Sequence, residues 1–292
     1  MTPERGHDYD MRETAQGYRI ESGDDGRTLV VTGSWTAEVE TLLATGAVVG
    51  LDLNYALGFG EPSLEFLDVW PLRRLHVLDR SLVDLEPIGR LRDTLEELSV
   101  QAAPGVSLDL GEMPQLRSLA GEWEVIRWQL RFLESLETLV TWRFDGDNLL
   151  ALNEHVGLRR LTIKEARRLS SLLGAEHMVG LRTLEVLLAP GLADVGAISD
   201  LVELQELSFE TARRLDALDD IKSLTRLSHL GIANSGGIRS LTPVTGMKAL
   251  KSLYAWGTTH FLDNDMTPLL GLSALTDLRI RPRKSYNPQL PT

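Results

Sequence analysis

Leucines recur along the middle of this chain at a fixed interval. Leu158, Leu181, Leu204, Leu227 and Leu250 stand 23 residues apart, and Leu161, Leu184, Leu207, Leu230 and Leu253 repeat that interval three places on. A third column, Leu169, Leu192, Leu215 and Ile238, keeps the same step, as do the small residues Ala166, Ala189, Ala212 and Ser235. A period in the twenties is the mark of stacked supersecondary units and outranks any local propensity. Each unit reads Leu-x-x-Leu-x-(Ile/Val/Phe), then a small residue, then apolar residues every three or four places. Strand alternation turns Leu207 and Phe209 inward, whereas Leu204 packs from the turn before the strand. One unit alone buries too little to offset the entropy of ordering it. Burial shared with neighbours must supply the difference.

The pattern begins near Val48, with Leu51 and Leu53 as the first inward pair, and continues through Leu72-x-x-Leu75-x-Val77 and Leu95-x-x-Leu98-x-Val100. Two irregular units follow at Leu116 and Leu136, with Gly121 and Thr141 standing where an apolar residue belongs. Leu275-x-x-Leu278-x-Ile280 closes an array of about eleven strands. They are expected to pair in parallel on a concave face, roughly 4.8 Å per repeat. Gly191, Gly236, Gly237 and Pro243 predict irregular or short helical returns on the convex side. Ahead of the repeats, Tyr18-Arg-Ile-Glu and Thr28-Leu-Val-Val-Thr flank a Gly/Asp turn, which is a hairpin signal. Thr36 to Ala44 reads as a short helix with Thr36 as N-cap and Gly46 as stop. The organisation expected is therefore a disordered tail (1–17), a hairpin-helix cap (18–47), the repeats (48–284) and a C-terminal tail (285–292).

The repeat unit resembles that of the leucine-rich repeat family, and its intracellular type of 22 to 23 residues is the nearest match. The resemblance implies an α/β solenoid, a horseshoe with a parallel sheet inside, that binds proteins or peptides on its concave face. One departure is plain. The family's usual Asn after the strand is replaced here by Ala or Ser, and Ala cannot make the Asn side chain's hydrogen bonds to the turn.

Composition narrows the function classes. The net charge is −12, which argues against nucleic acid and anionic membranes, since phosphate neutralisation needs clustered Lys and Arg. There are no cysteines, which removes disulfides, thiolate metal sites and a cysteine nucleophile. The first twenty residues lack a signal-peptide core, and no run of eighteen apolar residues occurs. A cytoplasmic monomer is expected.

No motif carries recognisable chemistry. The six histidines show no ligand spacing. Asp145-Gly-Asp-Asn148 and Asp263-Asn-Asp265 lack the ligand run of a calcium loop. Neither cofactor nor metal is expected.

The informative residues are those that the repeat forces outward, at places three, five and seven of each unit. Tyr254 and Trp256 share one strand, with His229 on one side and Arg279 and Arg281 on the other. Aromatics beside Arg are typical interface anchors. The alternative is that Trp256 packs down as part of a C-terminal cap. Trp142 with Arg160 and Lys164 forms a second candidate, and Glu185, Glu206 and Glu210 an acidic strip suited to a basic partner. Trp123 and Trp128 fall in a return, where burial is the default.

Three classes of function remain, the third of them a self-assembling structural protein joined through an exposed end. The first is a non-catalytic protein- or peptide-binding adaptor or inhibitor, of which a bacterial toxin-neutralising (immunity) protein is one version. The second is a peptide-binding enzyme or maturation factor with its site near Trp256, Arg279 and Arg281.

Overall fold

The computed structural model describes residues 17–289. The tail expected over residues 1–17 lies outside them except for Gly17, whose carbonyl accepts the Thr32 N–H at 2.8 Å. The chain forms two compact units, Met1–Ser135 and Leu136–Thr292.

In the first unit, strands β1 (Tyr18–Gly23) and β2 (Gly26–Val31) form an antiparallel hairpin. Helix α1 (Ala37–Ala44) follows. Thr36 Oγ1 accepts the Val39 N–H, Glu38 and Glu40 favour the positive N-terminal end, and Val39 and Leu43 are buried. Trp35 stacks on Phe66, ring centroids 3.9 Å apart, and fastens the cap to the first repeat. β2 then pairs in parallel with β3 (Gly50–Asn54), and β4 (Arg74–Leu78), β5 (Glu97–Gln101) and β6 (Ser118–Glu122) follow in register. The cap thus joins the repeat sheet instead of merely covering it.

Gly121, which reads in the sequence as a weak core position, is required where it stands. A Cβ there would lie 2.4 Å from Ile126 Cγ2 and 3.1 Å from the Val100 carbonyl. Helix α2 (Trp123–Ile126), starting directly after β6, brings Ile126 back into the space that a strand residue fills elsewhere. Of the two tryptophans in this return, Trp123 is buried, but Trp128 is half exposed beside the Arg127 guanidinium. Burial of both is therefore corrected: the short helix has room beneath it for only one.

The second unit carries β7 (Thr138–Trp142), β8 (Arg160–Lys164), β9 (Thr183–Leu187), β10 (Glu206–Glu210) and β11 (His229–Ala233), paired in parallel without slippage. Between β11 and β13 (Ser252–Ala255), the two-residue β12 (Gly237–Ile238) lies on the return side. It pairs with β14 (His260–Phe261), and β15 (Asp277–Ile280) ends the main array. Leu158, Leu181, Leu204, Leu227 and Leu250 are all fully buried, as are Leu207 and Phe209. The returns are turns and short 3-10 segments such as Gly196–Asp200 and Asp219–Ser223.

The missing Asn has a backbone substitute. At the place after each strand, Arg143, Glu165, Leu188, Thr211 and Asn234 hold φ between +54 and +61. The N–H groups of Glu165, Leu188 and Thr211 each donate to the next repeat's strand-end carbonyl at 2.9 Å. This left-handed step turns the chain downward, so the following Ala166, Ala189, Ala212 and Ser235 drop into the core. Only a small residue fits beneath such a turn. Where a hydroxyl is present it is used: Ser235 Oγ donates to the Ala233 carbonyl at 3.1 Å and accepts the Ala212 N–H at 3.3 Å.

Thr141 is the other irregular position. It is fully buried opposite Ile163, and its hydroxyl has no hydrogen-bond partner among the described residues. Thr141→Val keeps the shape and removes an unsatisfied polar group. It should raise unfolding stability by about 1 kcal/mol, seen as a higher urea midpoint with an unchanged slope.

The segment read as a C-terminal tail is folded as far as Gln289. Tyr286 is buried, its hydroxyl oxygen accepts the Phe261 N–H, and Asn287 exchanges backbone hydrogen bonds with Asn264 and Met266. An aromatic side chain closing the last return supplies the burial that a further repeat would otherwise give.

Candidate functional site

The outward places of β11, β13 and β15 bring the first predicted cluster together. Register sets Ser252 between His229 and Asp277, and Tyr254 between Gly231 and Arg279. Because Gly231 has no side chain, the His229 ring reaches Tyr254 and meets it edge-on, centroids 4.8 Å apart. His229 Nδ1 lies 2.7 Å from Ser252 Oγ. On the other side the Arg279 guanidinium sits 4.5 Å from the Tyr254 ring centroid, a cation–π contact. Asp277 ties these together, accepting from the Tyr254 hydroxyl at 2.6 Å and from Arg279 Nε and Nη2 at 3.0 and 2.9 Å.

These bonds move the protonation equilibria. Hydrogen bonds from Arg279 and then Tyr254 hold the Asp277 carboxyl below the usual carboxylate range. The bond to Asp277 raises the Tyr254 phenol above its ordinary value, with partial burial adding to it. The phenol therefore stays a protonated donor at neutral pH, and the Asp277 bond set survives as pH falls until the lowered carboxyl finally titrates.

Trp256 follows β13 with 53% of its surface exposed. Its carbonyl accepts the Asn234 N–H at 3.2 Å, so the backbone is fixed while the indole stays in solvent. It is not packed beneath the C-terminal segment, whose capping aromatic is Tyr286. Arg281 lies just past β15 and is exposed.

The second cluster divides. Trp142 pairs with Lys164, but Arg160 pairs with Thr138, four places back on the same strand. That is roughly 13 Å at strand spacing. Arg160 instead points at the acidic strip, with Nη1 3.8 Å from Glu206 Oε2. Place-counting put the three residues on one face, but Arg160 at place three and Trp142 and Lys164 at place seven lie at opposite ends of their strands.

Within the strip, Glu185 Oε2 accepts from Thr162 Oγ1 at 2.8 Å and Glu206 Oε2 from Thr183 Oγ1 at 3.2 Å. Each threonine belongs to the preceding repeat and is nearly buried, so the strip is anchored from below. Glu210 shares β10 with Glu206 at its other end.

Sequence reasoning passed over Asp277, Ser252, Thr162 and Thr183, the residues that orient the candidates. The signal for them was present: Ser252, Thr162 and Thr183 each occupy an outward place in register with the residue they bond, and Asp277 stands one outward place from the register partner of Tyr254. It also passed over the strand face of the first unit. There His76 Nδ1 meets Asp52 Oδ1 at 3.0 Å in a shallow hollow of about 220 Å³ reached by Arg74 and Ser99. Arg74 is already committed to the cap, donating to the carbonyls of Asp25 and Gly26.

No three potential metal ligands come together among the described residues. No helix there is long and apolar enough to cross a membrane.

Neither a protein-family model nor a curated protein matches the sequence. Solved structures do. The functional domain of InlJ from Listeria monocytogenes matches with a TM-score of 0.52 at 16% identity, over 86% of this chain and 63% of that one. Toll, in its complex with Spätzle from Drosophila, matches at 0.50 and 13% identity, over 91% of this chain and 44% of that one. An internalin (inlF) from Listeria monocytogenes matches at 0.49 and 17% identity, over 73% and 68%. The chain has the leucine-rich-repeat fold. It spans about two thirds of the InlJ domain and less than half of the Toll chain. At these identities the likeness concerns how leucine-rich repeats stack, and the outward residues are this chain's own.

Proposed function

We propose that this chain is a non-catalytic protein-binding module, an adaptor or inhibitor, that grips its partner on the strand face around Tyr254 and Trp256. The observation that carries this reading is the exposed Trp256 indole beside an ordered polar network. His229, Tyr254, Asp277 and Arg279 already hold one another, so binding there orders few side chains and little entropy is lost. A large exposed aromatic two places along the chain from a fixed polar cluster has the make-up of an interface hot spot. Support from fold analogy is coarser: Toll is seen complexed with Spätzle, a protein ligand. Where the partner meets Glu185, Glu206 and Glu210 it should be basic. A toxin-neutralising protein of the cytoplasm is one form of this reading, in keeping with a cysteine-free acidic chain.

The cluster gives the enzyme reading little. The Tyr254 phenol is held protonated and Arg279 is held by Asp277, so neither is poised to attack or to take a proton.

Affinity capture from the native lysate tests the proposal, comparing wild type with Tyr254→Ala/Trp256→Ala of matched thermal unfolding. A stoichiometric protein should be captured by wild type and lost with the variant. The same protein retained on both would overturn this face as the site.

A further inference from the structure

A groove of about 700 Å³ runs over the ends of β8, β9 and β10, outside the Tyr254 cluster, lined by Glu165, Arg167, Leu188, Pro190, Thr211 and Arg213. These are the same two places, eight and ten, of three successive repeats. Leu188 is the anomaly among them. It is 46% exposed and holds φ +58. An exposed leucine gains little from folding, and a left-handed backbone costs a non-glycine residue about 1–2 kcal/mol. Its counterparts Glu165, Thr211, Asn234 and Gly257 are polar or glycine, as folding alone would favour. Pro190, two places on, extends the apolar floor.

The walls of this floor are cationic. Arg167 and Arg213 line the groove and Arg168 and Arg214 stand next to them, all exposed. Elsewhere in the unit, Arg143, Arg159, Arg160, Arg226 and Arg239 each lie within 4.0 Å of a carboxylate. The four groove arginines have no such ion pair among the described residues. On a chain of net charge −12, two unpaired arginines in the lining, each followed in sequence by another exposed arginine, are a local reversal of charge. The single carboxylate in the lining, Glu165, is turned toward Arg143 at 3.7 Å.

We propose that this groove is a second docking surface, which takes an extended acidic segment of a protein partner, carboxylates on Arg167 and Arg213 and an apolar side chain on Leu188 and Pro190. The spacing fits. Arg167 and Arg213 stand two repeats apart, roughly 10 Å, which an extended polyproline II segment covers in three residues while bringing its side chains back to the same side. Acidic residues three places apart with an apolar residue between them therefore match the groove. A nucleic acid fits less well, because a sugar-phosphate backbone would leave the exposed Leu188 and Pro190 without an apolar partner.

Fluorescence anisotropy tests this with the full chain and a labelled nonapeptide, glutamate at every third place and leucine between, at about 50 mM salt. The peptide should bind wild type, weaken as salt rises, and fail to bind when its glutamates are replaced by glutamine. Arg167→Ala/Arg213→Ala should weaken binding about tenfold or more, through loss of two charge-assisted contacts. Leu188→Asn, which suits the left-handed backbone, should weaken binding several-fold without lowering the unfolding midpoint. A purely structural leucine would not separate these two readouts. Tyr254→Ala/Trp256→Ala should leave peptide binding unchanged, so that failure of this surface is distinct from failure of the strand-face site. The proposal is overturned if no peptide binds, if the glutamate and glutamine peptides bind alike, or if the double arginine variant binds as wild type does. Tighter binding of a single-stranded oligonucleotide of equal charge would overturn it too.

Discussion

Phe209→Ala should lower the unfolding free energy by about 3–5 kcal/mol, the largest single loss expected from a core truncation in this chain. Phe209 is fully buried on β10, opposite Val186 of β9 and Ile232 of β11. Its ring is the largest side chain in that column, since the regular repeats otherwise hold Ile163, Val186, Ile232 and Ala255 there. Truncation leaves a cavity bounded on both sides by strands locked in register. Neither neighbour can move inward without breaking its own ladder, so relaxation is small and the cost sits near the top of the range. In a stacked array the damage also falls on both adjoining interfaces. Urea unfolding followed by fluorescence and circular dichroism measures it. A loss below about 1 kcal/mol, the level of a surface change, would mean that β10 does not carry the core as described.

Gly174→Ala should cost nearly as much, about 3 kcal/mol or more, although only one methyl group is added. Gly174 has φ +103 at the start of a short 3-10 turn, in a region that L-residues rarely adopt. A Cβ there would lie 2.6 Å from the Leu149 carbonyl carbon and 2.7 Å from the Leu150 nitrogen. Those atoms are backbone of the preceding repeat, pinned where the Leu149 N–H donates to the Leu173 carbonyl at 2.8 Å. Strain and clash therefore act together, and no rotamer relieves them. Thermal unfolding should show a lower midpoint for Gly174→Ala and a much smaller change for Gly196→Ala, where the nearest contact is a side-chain atom, the Asp194 carboxylate at 3.3 Å, and not backbone. Equal effects at the two glycines would refute the backbone argument.

Much of the candidate site was legible because a repeat converts sequence position into spatial position. Tyr254 and Arg279 are 25 residues apart, yet counting places from Leu250 and from Leu275 made them neighbours, and the structure stacks one on the other. The same arithmetic misjudged Arg160. It assigns a residue to a face but says nothing of how far a long side chain leans, and Arg160 reaches across a whole strand toward Glu206. Gly121 was misread for a related reason. A one-dimensional template expects each core slot to be filled from its own strand, whereas Ile126 fills this one from the next turn.

By itself the sequence determined the repeat, the parallel pairing, the buried columns and the small residue after each strand. All of these follow from periodic hydrophobicity, and burial of alternate side chains admits no other register. Only the tertiary structure decided how the strands end. The left-handed turns of Glu165, Leu188 and Thr211, held by hydrogen bonds to the next repeat, leave no mark in local propensity. The groove they line, the seat of Tyr286 over Phe261 and the bond set around Asp277 were likewise decided there. Each depends on atoms supplied by a neighbouring repeat, and a local pattern cannot carry what a neighbour supplies.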